Sequence, residues 1–560
     1  MRGLKPGLLI FLLSTVLILP WLGRQDFYTR GEAREALVIQ DLFSSGNWIL
    51  PRGYSDAVPS KPPLMHWLGA LFSLLQGEVN EYTARLPSAL AGILFLLFFF
   101  TFLSSRAGTK QSLAACVILL TSIEWFRSSI ICRVDMLFSA LLAAGLLTLY
   151  DWSRKDCSGW PRAAVVLLTL ATLAKGPVAV LLPALIFALF LLSEKHAAGR
   201  VALSLIKFCA PALLLAFIWY VLAYLEQWEA FSHKVYYENI ARFLGSQEDK
   251  PHQHSAFYLL GTVVLGFFPW SVVVVGVLLA KFRDKRLLSW QVFKGWLRGQ
   301  NALSRYALIA VLCFVVFFSI PAGKRSVYLL PVYPFLSLYL AELLLLEFSK
   351  QAFRRWLGIL AALVVGLYGV SLLNLAGIIK LEMLLAGLKN SGDLSFFASI
   401  LTSGVRSARV WELLLLVLPF LIAAAALLAV FKADSARNSW LLSTALFSSL
   451  LLAGNGVLLP WLARALSPRR FAAEVASLLP KDGKLYSFGD EFYGISFYLK
   501  RRIYRLEEYR VKDGLVFLNL AKFSAFKNSS ALSRPVEILM VAPNPITKPR
   551  ALVALVRFKS

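Results

Sequence analysis

Long apolar runs without a single ionisable side chain recur along this chain, and they decide the solvent in which it folds. Leu90 to Leu103 and Leu413 to Phe431 are two of them. A segment of roughly 20 apolar residues matches the hydrocarbon core of a bilayer. Only a helix or a closed barrel satisfies its own backbone polar groups there. With 58% hydrophobic residues in 560, the sequence predicts an all-α polytopic membrane protein. On the same ruler about thirteen spans are expected, near residues 7–23, 83–104, 109–124, 135–151, 163–174, 177–193, 208–225, 256–280, 304–320, 326–346, 356–377, 411–431 and 438–461. The short pair around Lys175 also reads as one re-entrant unit.

Basic residues crowd into alternate connections: Arg2 and Lys5, Arg106 and Lys110, Arg154 with Lys155 and Arg162, Lys195 with Arg200 and Lys207, Lys281 to Arg286, Lys350 to Arg355, and Lys432 with Arg437. By the positive-inside rule these connections face the cytoplasm. The N-terminus is then inside, and the other set of loops faces outward. The first apolar run closes with Pro20-Trp21-Leu22-Gly23-Arg24 and no small-x-small cleavage site, so it is expected to stay as a first span. The net charge of +26 follows from inward basic loops beside anionic lipid, with no nucleic acid as a partner. Five scattered cysteines show neither metal-ligand spacing nor a disulfide framework.

After residue 461 the pattern changes. Arg469, Arg470 and Glu474 open a short amphipathic helix, and Lys484 to Phe488, Leu515 to Leu518, Val536 to Val541 and Ala551 to Val556 read as strands. Residues 1–461 are therefore expected to form the membrane domain and 462–560 a small α/β domain on the outer side. Gly489-Asp490-Glu491 reads as a turn and helix start. Matching halves, which would favour a transporter built from inverted repeats, do not stand out.

The outward connections hold the unusual groups. In the first, about residues 24–82, Glu32 to Leu42 has the apolar spacing of an amphipathic helix lying in the interface. Glu32 in its first turn has an ordinary role as a dipole contact and a chemical one as a base. Lys61 precedes Pro62-Pro63 and is held by them at headgroup depth, either as a snorkelling cation or as a phosphate ligand. Arg133 and Asp135 open the fourth span, where Asp135 also suits an N-cap. Lys175-Gly176-Pro177 forms a tight turn. Arg242, His252 and His254 lie in one polar loop, and Lys324-Arg325 with Tyr328 precedes the tenth span. Ionisable groups beside hydrocarbon are costly and mark functional cavities, and these converge on one face.

Taken in order, Glu32 with Arg34, Lys61-Pro62-Pro63, Arg85-Leu86-Pro87, Arg133 with Asp135-Met136, Lys175-Gly176-Pro177, Arg242-Phe243, Gly266 to Trp270, and Lys324-Arg325 with Tyr328 to Pro331 resemble the aminoarabinose (4-amino-4-deoxy-L-arabinose) lipid A transferase and protein O-mannosyltransferase superfamily, membrane glycosyltransferases of the GT-C type. The resemblance runs through about the first 340 residues. It implies a polyprenyl (undecaprenyl) phosphate sugar donor, an acceptor that is lipid A, a related glycolipid or a protein, and transfer on the periplasmic face of a bacterial inner membrane. Glu32 is then the leading base and Asp135 the second. Arg34, Lys61, Arg85, Arg133, Lys175, Arg242, His252, His254, Lys324, Arg325 and Tyr328 are candidate ligands of the donor phosphate or substrate. Single displacement with inversion is expected.

The sequence departs from the family pattern at three places, one of them Gln253, where an arginine commonly stands near the histidine. Gly31 stands where an aspartate often precedes the glutamate, and Ser60 where an acidic residue often precedes Lys-Pro-Pro. Two histidines on a polar loop are more often solvated than ligating, so no metal or other cofactor is expected to be required. A protein O-glycosyltransferase is the alternative within enzymes. A lipid-linked sugar flippase is the alternative outside them, and it would spread charges along a path through the bundle.

Overall fold

The computed structural model describes residues 6–59, 61–241, 254–255, 257–275, 294–295, 299–321, 323–346, 350–378, 391–431, 436–509, 513–527, 536–543 and 552–559. It is mostly helical. Among the described residues nine helices are long and apolar enough to cross a membrane, from Pro6–Arg24 to Ser439–Leu466. The other expected spans fall on shorter helices, Gly108–Thr121, Arg162–Lys175, Val178–Ser193 and Tyr258–Gly266. The count of thirteen is therefore not reached by length and composition alone, because a helix walled by its neighbours need not be a full bilayer long. The pair around Lys175 is two helices, broken at Gly176, whose φ of 110° lies in the region that favours glycine.

Local chemistry sets where the elements at the site end begin. Thr29 caps the Arg30–Ser45 helix by accepting the Glu32 N–H at 3.4 Å, and Gly46 ends it in the left-handed conformation. Asn80 and Thr83 form a capping box at the start of Glu81–Ser104. The Arg30–Ser45 helix does not lie free in the interface as its pattern suggests: Glu32, Ala33, Glu35, Ala36, Leu37, Val38, Ile39, Asp41 and Leu42 are all buried. Leu64–Gln76 packs on one side of it, where the absence of a side chain at Gly69 admits Ile39. The C-terminal helix Tyr493–Leu499 packs on it as well.

The C-terminal region carries one five-stranded sheet of β1 (Leu485–Phe488), β2 (Ile503–Arg505), β3 (Asp513–Asn519), β4 (Val536–Pro543) and β5 (Leu552–Lys559). The order is β2-β1-β3-β5-β4, with β1 parallel to β2 and β3 and with β5 antiparallel to β3 and β4. Four strands match the sequence expectation. The three-residue β2 carries too short an alternation to stand out. Phe27 packs edge-on against Phe497 at 5.0 Å and Tyr54 against Tyr493 at 5.1 Å, so the sheet-bearing region sits on the first loop.

Candidate active site

A cavity of about 400 Å³ opens where the first loop meets the ends of several helices. Arg34, Lys61, Arg133, Lys175 and Arg325 line it together with Glu35, Asp135 and Glu238. The cationic surplus of that wall suits a phosphate. Phe138, Leu181, Phe317 and Phe318 form an apolar side. Leu181 is 61% exposed on the outer surface of the helices, so the apolar side continues toward the region lipid would occupy.

The charged groups are fixed by one another. Asp135, 4% exposed, accepts from Lys175 Nζ at 2.7 Å through one oxygen and from Arg133 Nε at 2.9 Å through the other. Lys175 also lies 4.8 Å from the Phe138 ring and 5.3 Å from that of Tyr328. Lys61 Nζ donates to Glu238 at 2.7 Å. Glu35 accepts from Arg34 Nη2 at 2.6 Å, and its other oxygen lies 2.9 Å from Nε2 of the buried His66. The His66 Nδ1 has no partner among the described residues. Burial pushes the Glu35 carboxyl up. The Arg34 guanidinium and the His66 hydrogen bond outweigh burial and hold it below the usual carboxylate range.

The structure brings Asp135, Arg34, Lys61, Arg133, Lys175, Arg325 and Tyr328 to this cavity and places other sequence candidates elsewhere. Glu32 is 1% exposed and does not line it. Its carboxylate takes Arg85 Nε at 2.8 Å and the Cys132 N–H at 3.0 Å. Arg85 also donates to the carbonyls of Leu22 and Gln25 at 2.7 and 2.5 Å, so the pair clamps the end of the first span to the second. Lys324, 4% exposed, donates to the carbonyls of Pro321 and His254. The His254 ring stacks on Tyr258. Arg242 and His252 lie outside the described residues. Among those described, no three His, Cys, Asp or Glu groups gather as a metal would need.

Glu35, His66 and Glu238 were not singled out in the sequence as site groups. A signal for Glu35 exists: positions 31 and 35 stand four residues apart on one helix and so share a face. A Cβ at Gly31 would lie 3.0 Å from Arg133 Nη1. The carboxylate that the family pattern carries at position 31 is thus absent beside Arg133, and a carboxylate stands one turn further on.

Residues 60–224 match the family model described as dolichyl-phosphate-mannose-protein mannosyltransferase. The undecaprenyl phosphate-alpha-4-amino-4-deoxy-L-arabinose arabinosyl transferase of Shewanella sediminis is 25% identical over 340 residues, 59% of this chain and 58% of that one. The protein of the same name from Aeromonas hydrophila is 24% identical, over 61% of each chain. This chain therefore spans about three-fifths of the length of these relatives. In fold it matches the crystal structure of ArnT from Cupriavidus metallidurans bound to undecaprenyl phosphate, with a TM-score of 0.71, 19% identity, and coverage of 98% of this chain and 97% of that one. The apo state of the same protein matches equally. The sequence similarities are partial, and the structural match shows that this chain has the fold of that protein.

Proposed function

We propose that this chain, a polytopic membrane protein of the aminoarabinose transferase and GT-C superfamily, moves a monosaccharide from a polyprenyl phosphate donor to lipid A or a related envelope glycolipid. The single observation that carries the reading is the cavity that sets five cations beside an apolar wall reaching toward lipid. Such a wall suits a phosphate that carries a long apolar chain. The curated relatives and the structural match, named for undecaprenyl phosphate, support the same donor class.

In the proposed reaction an acceptor oxygen forms a bond to the anomeric carbon while the bond from that carbon to the donor phosphate breaks. The bonding pair leaves with polyprenyl phosphate. Lys61, Arg133, Lys175 and Arg325 face the charge that develops there, and fixed cations placed before the reaction lower its barrier most. Asp135 holds Arg133 and Lys175 in position. Glu35 is the carboxylate we assign to the acceptor: it orients the attacking group and takes the proton of a hydroxyl. Held low by Arg34, it is a weak base in the resting state. Arg34 also lines the cavity, and turning toward the donor phosphate would release Glu35, so that donor binding raises the strength of the base.

The site end of the bundle is assigned to the periplasmic face of a bacterial inner membrane, with the N-terminus cytoplasmic and the C-terminal region, residues 462–560, periplasmic. No metal or other cofactor enters the proposed mechanism. A protein acceptor is the second reading, favoured by the family model over residues 60–224.

The test is mass spectrometry of envelope glycolipids and secreted proteins from cells lacking the gene, rescued with wild type, Glu35→Gln or Glu35→Gln with Gly31→Asp. A sugar-sized increment restored by wild type, lost with Glu35→Gln and partly regained when Gly31→Asp supplies a carboxylate beside Arg133 is the expected result. An increment undiminished in Glu35→Gln would remove that residue from the mechanism. Lipid-linked sugar accumulating on one leaflet, with no acceptor changed, would favour a flippase.

A further inference from the structure

A second basic cavity, of about 390 Å³, shares no lining residue with the first. It lies where three candidate spans meet: Pro6–Arg24 and Ser439–Leu466 end there, and Val410–Ala429 begins there. Its wall is Arg24, Arg409, Arg464, Glu412, Ser407 and Trp461. We propose that it binds the phosphate of a lipid headgroup.

Charge is the first support. Glu412, 4% exposed, is the one carboxylate in that wall, against three guanidinium groups. It accepts from Arg24 Nη2 at 3.4 Å and from the Arg409 N–H at 2.9 Å, and lies 3.9 Å from Arg464 Nη2. These contacts gather the cations without neutralising them. The Arg409 side chain has no ion pair or hydrogen bond among the described residues. The buried Nε of Arg24 likewise has no hydrogen-bond partner among the described residues. Guanidinium is the cation best shaped for phosphate oxygens.

Depth is the second. Trp21 stacks on Trp411 at 6.4 Å, Arg24 lies 4.1 Å over the Trp411 ring, and Trp461 forms part of the wall. Tryptophan gathers where hydrocarbon gives way to headgroups, so arginines at span ends on this level meet lipid phosphate. The wall is also closely built. Gly404 of the Ser391–Arg406 helix lies against the Trp461 ring with no space for a Cβ, which brings that helix up to the edge of the cavity.

The experiment follows thermal unfolding of the full chain in neutral detergent while dioleoylphosphatidylglycerol is added, with dioleoylphosphatidylcholine and inorganic phosphate in parallel. Wild type is compared with Arg409→Gln/Arg464→Gln, with Lys61→Ala in the first cavity, and with Arg354→Gln/Arg355→Gln as an equal loss of charge elsewhere. One cation near an anionic headgroup contributes about fivefold in affinity, so the Arg409/Arg464 variant should need roughly thirtyfold more phosphatidylglycerol for the same shift. Lys61→Ala and Arg354→Gln/Arg355→Gln should respond as wild type, and phosphatidylcholine should do nothing. Both arginines are exposed, and melting without lipid checks that the variant folds. An unchanged response in Arg409→Gln/Arg464→Gln overturns the proposal, as does an equal loss in Arg354→Gln/Arg355→Gln or a loss confined to Lys61→Ala. An equal shift with inorganic phosphate alone overturns the lipid as its source.

Discussion

Glu32 and Glu35 sit one helical turn apart and meet opposite surroundings. Glu32 is sealed against Arg85 in a buried ion pair, whereas Glu35 reaches the cavity wall between Arg34 and His66. Breaking a buried pair strands a charge and costs about 3–5 kcal/mol. Arg85→Leu is therefore expected to lower the melting temperature sharply, as read by unfolding in detergent. Glu35→Gln keeps its shape but forfeits the ion pair with Arg34, so it should lower melting too, while turnover of the folded protein falls by roughly 100-fold or more, the usual worth of a positioned acid or base. The depressed Glu35 pKa has a definite sign: the stability contributed by its ionised form is present in full above the unfolded glutamate value, about 4.3, and is lost progressively as pH falls from there through the lower folded value. A pH titration of resting-enzyme stability should show no loss from Glu35 at or above neutrality. Raising salt or removing Arg34 should move the acid loss upward. A glutamate in the same loop as Lys-Pro-Pro is readable in the sequence, but which of Glu32 and Glu35 reaches the cavity is not. Adjacent residues do not face each other on a helix, and only the long side chain of Arg34 folds back to reach Glu35.

At the level of elements, the site depends on helices that approach more closely than side chains normally allow. A Cβ on Gly266 would lie 2.8 Å from the Glu124 Cβ and would also meet the Tyr333 hydroxyl. Gly266→Ala should thus cost about 1–3 kcal/mol through overpacking, seen as a lower melting temperature with the cavity residues unchanged. The sequence marks Gly266 to Trp270 as unusual, and the structure shows Trp270 fully buried, donating to Thr121 Oγ1 at 2.9 Å. The length of the apolar runs located the nine helices that qualify as spans among the described residues, because each must present hydrocarbon to hydrocarbon, while the apolar pattern within a helix says less. It left open what covers the Arg30–Ser45 helix, since an apolar stripe says that a face is covered and not by what. The covering here comes from Leu64–Gln76 and from a helix more than 400 residues away in sequence.

For the molecule as a whole, the C-terminal region is joined to the first loop by specific polar contacts. Arg502 pairs with Asp41 and Asp56, and Ser55 donates to Glu508 at 2.6 Å and accepts the Arg505 N–H at 3.0 Å. These contacts hold Ser55 and Asp56 at positive φ, which ordinary residues adopt at a cost. Arg502→Ala should therefore speed protease cleavage near residues 54–57, as followed by limited proteolysis of the purified chain. A reporter fused after Ser560 should be active only outside the cytoplasm; cytoplasmic activity would reverse the assigned orientation. Tyr498 closes the junction, its hydroxyl accepting the Phe27 N–H at 2.7 Å and donating to Glu81 at 2.8 Å. That bond has a consequence in time. Phe27 leaves the ribosome 471 residues ahead of Tyr498, and at about 5–20 residues per second the interval is on the order of half a minute or longer. Throughout it the opening loop waits without its lid, so a nascent chain halted before its last hundred residues displays an unfinished surface to the proteases of its compartment.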